Sequence, residues 1–176
     1  MKKSNKILFG NTWAYEDFIN ENEQKELLSF ATSNVHNLRN NGPGRFFCDF
    51  IIQKLRPPKV FFDVKRRIVD YENFTDFKMD PTFGDFLSFN YEGAAIHNHK
   101  DPNLKNHVHT RYNLLLRLPN GGGNPIYDGK ILTVKEKMLW RCEAGLFNHA
   151  SLAVVGDKPR INISFGFQLG TNINTL

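Results

Sequence analysis

Arg160-Ile161-Asn162-Ile163-Ser164-Phe165-Gly166-Phe167 alternates a polar or small residue with a large apolar one along its whole length. Successive side chains of a strand point to opposite faces. One face of this segment therefore carries Ile161, Ile163, Phe165 and Phe167, and the other carries Arg160, Asn162, Ser164 and Gly166. If the apolar face packs on helices, the second face looks into a β cavity. Arg160 is then a charge at the mouth of that cavity, where it needs a partner.

Working outward from this strand, period-two patterning extends back to about residue 85. Strands are predicted at 85–91, 94–97, 108–118, 130–134, 138–142, 145–148, 152–155 and 160–169. Turn residues separate them, among them Glu92-Gly93, Asp128-Gly129 and Gly156-Asp157-Lys158-Pro159. Many short strands with frequent turns predict a mainly β fold of the sandwich or jelly-roll type. The texture changes near residue 80. Before it, Asn20 with Glu23 forms a capping-box pattern. Leu27, Leu28, Ala31, Val35 and Leu38 then recur at helical spacing, until Asn40-Asn41-Gly42-Pro43-Gly44 ends the helix. A strand is predicted at 46–52. Pro57-Pro58 opens a second helix, with Val60, Phe61, Val64 and Ile68 on one face. Two helices placed before these strands rather than between them argue against a βαβ fold.

The 176 residues predict a single domain, 1–176, with 1–80 supporting a core at 85–169. The chain is 40% hydrophobic and 23% charged, which excludes disorder and fibrous repeats. No run approaches the roughly 18 apolar residues of a membrane span, so no membrane partner is expected. The start is basic, but Ile7-Leu8-Phe9 is too short an apolar run for a signal peptide. Cys48 and Cys142 match no metal or redox spacing and read as reduced core thiols, which predicts a cytoplasmic protein. The net charge of +5 leaves an anionic ligand or nucleic acid open. The basic residues are dispersed, however, and the one tight cluster, Lys65-Arg66-Arg67, reads as a solvated helix face. That argues against a nucleic-acid partner.

The histidines are grouped. His97, His99, His107 and His109 fall close together, and His149 follows. His99-Lys100-Asp101 sets an imidazole and a carboxylate two residues apart, able to share one ion. With His149 they make two histidines and one carboxylate, the facial donor set of octahedral Fe(II) sites with open positions. Arg160 follows His149 at about hairpin distance, and its planar fork suits a dicarboxylic acid.

The order His-x-Asp, distal His, then Arg resembles the 2-oxoglutarate and Fe(II)-dependent dioxygenases, especially their prolyl-4-hydroxylase-like branch. Tyr91-Glu92-Gly93 before His99, the glycines Gly121-Gly122-Gly123, the turn Glu143-Ala144-Gly145-Leu146-Phe147 before His149, and the strand from Arg160 to Phe167 extend the likeness across about residues 85 to 169. The resemblance implies a double-stranded β-helix, a cupin-like jelly roll, with supporting N-terminal helices. It implies that His99, Asp101 and His149 ligate Fe(II), that Arg160 pairs with the distal carboxylate of 2-oxoglutarate, and that Tyr91 hydrogen-bonds the same carboxylate. Asn162 stands where some members carry Ser, and its amide can donate a hydrogen bond. Asn113 is a further candidate beside the cosubstrate. The implied reaction consumes O2 and 2-oxoglutarate, gives succinate and CO2, and hydroxylates a second substrate, either a peptide or protein side chain or a small molecule.

Two other readings stand beside it. A cupin-type metalloprotein would use His97, His99 and His149 without 2-oxoglutarate and would give Arg160 no role. A non-enzymatic binding module would rest on the basic cluster. Of the remaining residues, His97 reads as a group behind the ligands, and His107 and His109 as a solvated loop end. Arg111 and Arg117 read as substrate-facing or solvent-facing. The stretches 102–106 and 40–45 are candidate lids, being polar and turn-rich.

Overall fold

A computed structural model describes residues 5–81 and 84–170. Residues 1–4, the basic start weighed above as a leader, lie outside the described residues. In chain order the elements are β1 (Lys6–Phe9), β2 (Thr12–Tyr15), α1 (Glu21–Ser33), β3 (Arg39–Asn40), β4 (Arg45–Asp49), α2 (Lys59–Glu72), β5 (Phe77–Met79), β6 (Phe86–Asn90), β7 (Ile96–His99), β8 (His107–Arg117), β9 (Gly121–Gly122), β10 (Pro125–Tyr127), β11 (Lys130–Ile131), β12 (Leu139–Cys142), β13 (His149–Ser151), β14 (Val154–Val155) and β15 (Arg160–Gly170).

The fold is mainly β, with antiparallel sheets. Among the described residues, one sheet runs β1-β2-β12-β8-β15-β6-β4-β3, with β5 also paired to β15. A smaller sheet runs β11-β10-β13-β7. The central pair, β8 and β15, runs in register from Asn162↔Leu115 to Gly170↔His107.

The alternation read from 160–167 decides the layering. Ile161, Ile163, Phe165 and Phe167 are fully buried and join Leu27 and Ala31 of α1 and Val60, Phe61, Val64 and Ile68 of α2 in one core. Burial of a large apolar side chain contributes about 1.5–3 kcal/mol, so this face is a substantial part of what holds the helices on the sheet. A second cluster, including Leu115, Met138 and Trp140, fills the space on the other side of the large sheet.

The helices start where the sequence sets them. Asn20 accepts from the Asn22 and Glu23 amides, and the Glu23 carboxylate accepts from the Asn20 amide. The first helix stops earlier than its apolar spacing predicts, at Ser33, followed by a short 3-10 turn, Val35–Asn37. Thr32, Ser33 and Asn34 donate side-chain hydrogen bonds to the carbonyls of Leu28, Ser29 and Phe30. These compete with the backbone donors that would continue the helix.

Several strand limits also differ. The segment 145–148 is a turn closed by Leu146 and Phe147 amides on the Glu143 carbonyl. Strand 130–134 shortens to Lys130–Ile131, 152–155 to Val154–Val155, and 94–97 shifts to Ile96–His99. Strand 46–52 ends at Asp49, whose carboxylate caps the Ile51 and Ile52 amides at 2.8 Å. β1 and β2, absent from the sequence reading, form a hairpin on the edge of the large sheet.

One carboxylate ties three parts of this fold. Glu72, at the end of α2, accepts from Trp13 Nε1 at 3.0 Å, Tyr15 Oη at 2.6 Å and Tyr112 Oη at 2.8 Å. Burial first, then Glu72, pushes the Tyr15 phenol well above its ordinary pKa. Both tyrosines therefore stay protonated donors. Replacing Glu72 with Leu strands three donors at once. We expect Glu72→Leu to lower the unfolding free energy by about 3 kcal/mol or more in urea denaturation, with Glu72→Gln retaining part of it.

Candidate metal centre and cavity

The polar face of β15 lines a cavity of about 400 Å3 between the two sheets. Register places its rows. Arg45, Phe47 and Asp49 of β4 stand opposite Asn90, Ser88 and Phe86 of β6. Those in turn stand opposite Arg160, Asn162 and Ser164 of β15. Asn113 and Arg111 of β8, then Trp140 and Cys142 of β12, continue the wall. The facing wall carries Ile96 and His99 of β7, Tyr127 of β10 and His149 and Ser151 of β13.

His99 and His149 are cross-strand partners of β7 and β13. Their rings lie 4.2 Å apart, centroid to centroid. Asp101 follows His99 by two residues and is fixed by its amide on the Ala144 carbonyl at 2.8 Å. His99 Nε2 lies 3.5 Å from one Asp101 carboxylate oxygen, and His149 Nε2 lies 4.0 Å from the other. Ligand atoms of all three lie within 4.8 Å of one another. His99 Nδ1 sits 2.7 Å from the His97 carbonyl, which can only accept. The ring proton is thereby held on Nδ1 and the Nε2 lone pair is left toward Asp101. Burial, and then the neighbouring His99, lower the pKa of His149, which favours its neutral, ligating form. Two imidazole nitrogens and a carboxylate oxygen on one side suit a six-coordinate divalent metal with open positions.

Behind Asp101 lies a buried network. His109 Nδ1 is 3.4 Å from Asp101 Oδ2, and its Nε2 is 3.2 Å from Asp80 Oδ2. Asp80 also pairs with Arg111 at 2.7 Å. His109 is 1% exposed and Asp80 is equally buried. His107 is buried too, with Nδ1 3.0 Å from the Lys105 carbonyl. The solvated loop end expected for these two histidines is therefore corrected: both lie on the long strand β8. The candidate lid 102–106 is fastened by Asn103 to the Gly145 carbonyl and the His109 amide, and by the Leu104 amide to Gln168. His97 is exposed and does not join the group.

Arg160 is 4% exposed and stacks over Trp140 at 5.5 Å. Its Nε has no hydrogen-bond partner among the described residues. Burial pushes its pKa down to about 10, so it remains charged at neutral pH. Gly122 and Gly123 shape its surroundings. Both have φ near +65°, a Cβ on Gly122 would overlap the Ala153 carbonyl, and one on Gly123 would press on Arg160. Asn162 accepts from Ser88 Oγ at 2.8 Å, which leaves its amide nitrogen to donate elsewhere. Asn113 lines the cavity as well.

Tyr91 is placed elsewhere. It shares strand parity with Leu87 and Phe89, lies outside the cavity lining, and packs on Phe46 and Phe89 in the helix-side core. Asn90, one residue earlier, is the cavity residue opposite Arg160. Arg117 lies outside the lining and reaches the Pro159 carbonyl. Each member of the basic cluster has an acidic partner: Lys65 pairs with Asp85, Arg66 with Asp63 and Arg67 with Glu23.

No protein-family model and no curated protein matches this sequence. Solved structures do. HygX from Streptomyces hygroscopicus, with nickel, 2-oxoglutarate and hygromycin B bound, superimposes with a TM-score of 0.66 at 10% identity, over 90% of this chain and 82% of that one. A prolyl hydroxylase from Trichoplax adhaerens, in complex with a hypoxia inducible factor oxygen degradation domain peptide, gives 0.67 at 11%, over 90% and 83%. A Pseudomonas putida prolyl-4-hydroxylase gives 0.61 at 13%, over 96% and 94%. At such identities the likeness is one of fold: the chain has the architecture found in HygX and these prolyl hydroxylases.

Proposed function

We propose that this protein is an Fe(II)- and 2-oxoglutarate-dependent dioxygenase that hydroxylates a second substrate, releasing succinate and CO2. In this reading the two sheets close as a double-stranded β-helix forming one domain, and the buried free thiols Cys48 and Cys142 suit the cytoplasm. The observation that carries it is Arg160, a buried guanidinium with no carboxylate partner among the described residues, aimed into the same cavity as His99, Asp101 and His149. A buried charge without a partner is costly, so it implies an anion supplied from outside. The fold neighbours that hold nickel and 2-oxoglutarate support the choice of anion.

His99, Asp101 and His149 would hold Fe(II), and the metal with its cosubstrate supplies the activation of O2. The chain's own residues do the placing. Arg160 grips the distal carboxylate in a forked pair, with its charge held against Trp140. Asn162, oriented by Ser88, offers an amide donor to the cosubstrate beside Asn113. Phe47, Phe86 and Trp140 exclude water from the cavity, which strengthens each ionic contact inside it. Neither alternative gains an observation: exposed His97 stands outside the donor group, and the cluster Lys65-Arg66-Arg67 is neutralised.

The test is an anaerobic titration of Fe(II)-loaded protein with 2-oxoglutarate, following the visible charge-transfer band. A saturable band should require His99, Asp101 and His149, and Arg160→Ala should weaken 2-oxoglutarate binding by about 30-fold or more. Iron binding without a band would sink the 2-oxoglutarate reading. A second measurement probes the network behind Asp101. His109→Gln should lower metal affinity by about tenfold in a chelator competition while the fold survives, because groups that orient metal ligands typically carry that much.

A further inference from the structure

The cavity is lined by a second guanidinium, Arg45, to which the proposed function gives no role. Arg45 lies at the start of β4, in one cross-strand row with Asn90 and Arg160. All three face the cavity. Neighbouring strands are about 4.8 Å apart, so Arg45 stands roughly 10 Å from Arg160 along the row. Arg111, the third arginine of the lining, is neutralised by Asp80. Arg45 has no acidic group within ion-pair distance and no side-chain hydrogen bond among the described residues. The nearest acid on its own face of the strand is Asp49, four residues on, and that carboxylate caps the Ile51 and Ile52 amides. Burial lowers the pKa of Arg45, and no carboxylate offsets it.

We propose that Arg45 determines substrate choice by receiving a carboxylate or phosphate of the second substrate. The inference rests on the 2-oxoglutarate reading of Arg160. It follows from the two depths of the row. Arg160 is enclosed at the centre of the sheet, while Arg45 is half-buried near its edge, beside exposed Asn41. One anion seated deep on Arg160 leaves Arg45 facing the outer part of the cavity, where a second molecule enters. A cavity of about 400 Å3 exceeds what one five-carbon diacid fills. The hairpin of β3 and β4 that carries Arg45 is closed by its own backbone, the Asn41 amide on the Arg45 carbonyl at 2.8 Å and the Arg45 amide on the Gly42 carbonyl at 3.0 Å. Its guanidinium is therefore offered from a built turn.

The experiment is calorimetric and uses Zn(II)-loaded protein, which is redox-silent. 2-Oxoglutarate is titrated first into the wild type, Arg45→Gln and Arg160→Ala. The protein saturated with 2-oxoglutarate is then titrated with inorganic phosphate, N-acetylaspartate, and the peptides acetyl-Ala-Asp-Ala-amide and acetyl-Ala-Asn-Ala-amide. We expect Arg45→Gln to keep the 2-oxoglutarate affinity and to bind the preferred anionic probe about tenfold more weakly. Arg45→Lys should recover part of that loss. The acidic peptide against free N-acetylaspartate tells a side-chain anion from a small acid. Equal binding of the Asp and Asn peptides with no affinity for the free anions would overturn the proposal. So would a loss of 2-oxoglutarate affinity in Arg45→Gln matching that in Arg160→Ala, since both arginines would then hold the cosubstrate. A wild type that binds no 2-oxoglutarate fails at the first titration and takes the underlying reading with it.

Discussion

Strand β15 is buried on both faces, and the molecule is organised around that constraint. Its apolar face settles against α1 and α2 without further demands. Its other face carries Arg160, Asn162 and Ser164, polar groups removed from water. Most such groups are satisfied by partners. Asn162 finds Ser88. Arg160 finds the ring of Trp140 and, beyond it, a cavity. A polar face at the middle of a large sheet therefore forces the neighbouring strands to leave open space, and the second sheet closes over that space bearing the histidines.

How much of this the sequence disclosed varies with the range of the interaction. The capping box at Asn20 and the apolar face of α2 are local, and they stand where the residues indicate. The alternation from 160 to 167 is local too, and it separates core from cavity correctly. His99, Asp101 and His149 are distant in sequence but come together because β7 and β13 pair. The missed features depend on non-local pairing. β1 and β2 are short, and only their docking on β12 gives them a sheet to join. The burial of His109 depends on Asp80 and Asp101, neither of which its own neighbours reveal. Tyr91 shows a different error. Its parity with Leu87 and Phe89 was readable, and it directs the ring to the helix side rather than the cavity.

Charge is distributed with the same economy. Among the described residues the tight basic cluster on α2 is paired residue by residue with acids. Among the cavity arginines, one is neutralised by the protein and two face open volume. Asp101 stands where the two systems meet, turned toward the histidines on one side and toward His109 on the other. The carboxylate is therefore held before any ion arrives, which reduces the reorganisation that binding would otherwise demand.

The two walls of the cavity are built to different standards. The wall that carries Arg160 contains strands of 11 residues, whereas His99 and His149 sit on strands of 4 and 3. Short ladders open locally at far lower cost than long ones. One wall is thus stiff and the other compliant. A molecule gripped by the arginine at one end and by an ion at the other acts as a strut between them. On the proposed function, filling the cavity would couple the smaller sheet to the stiffer wall, and chemical occupancy and mechanical rigidity would rise and fall together.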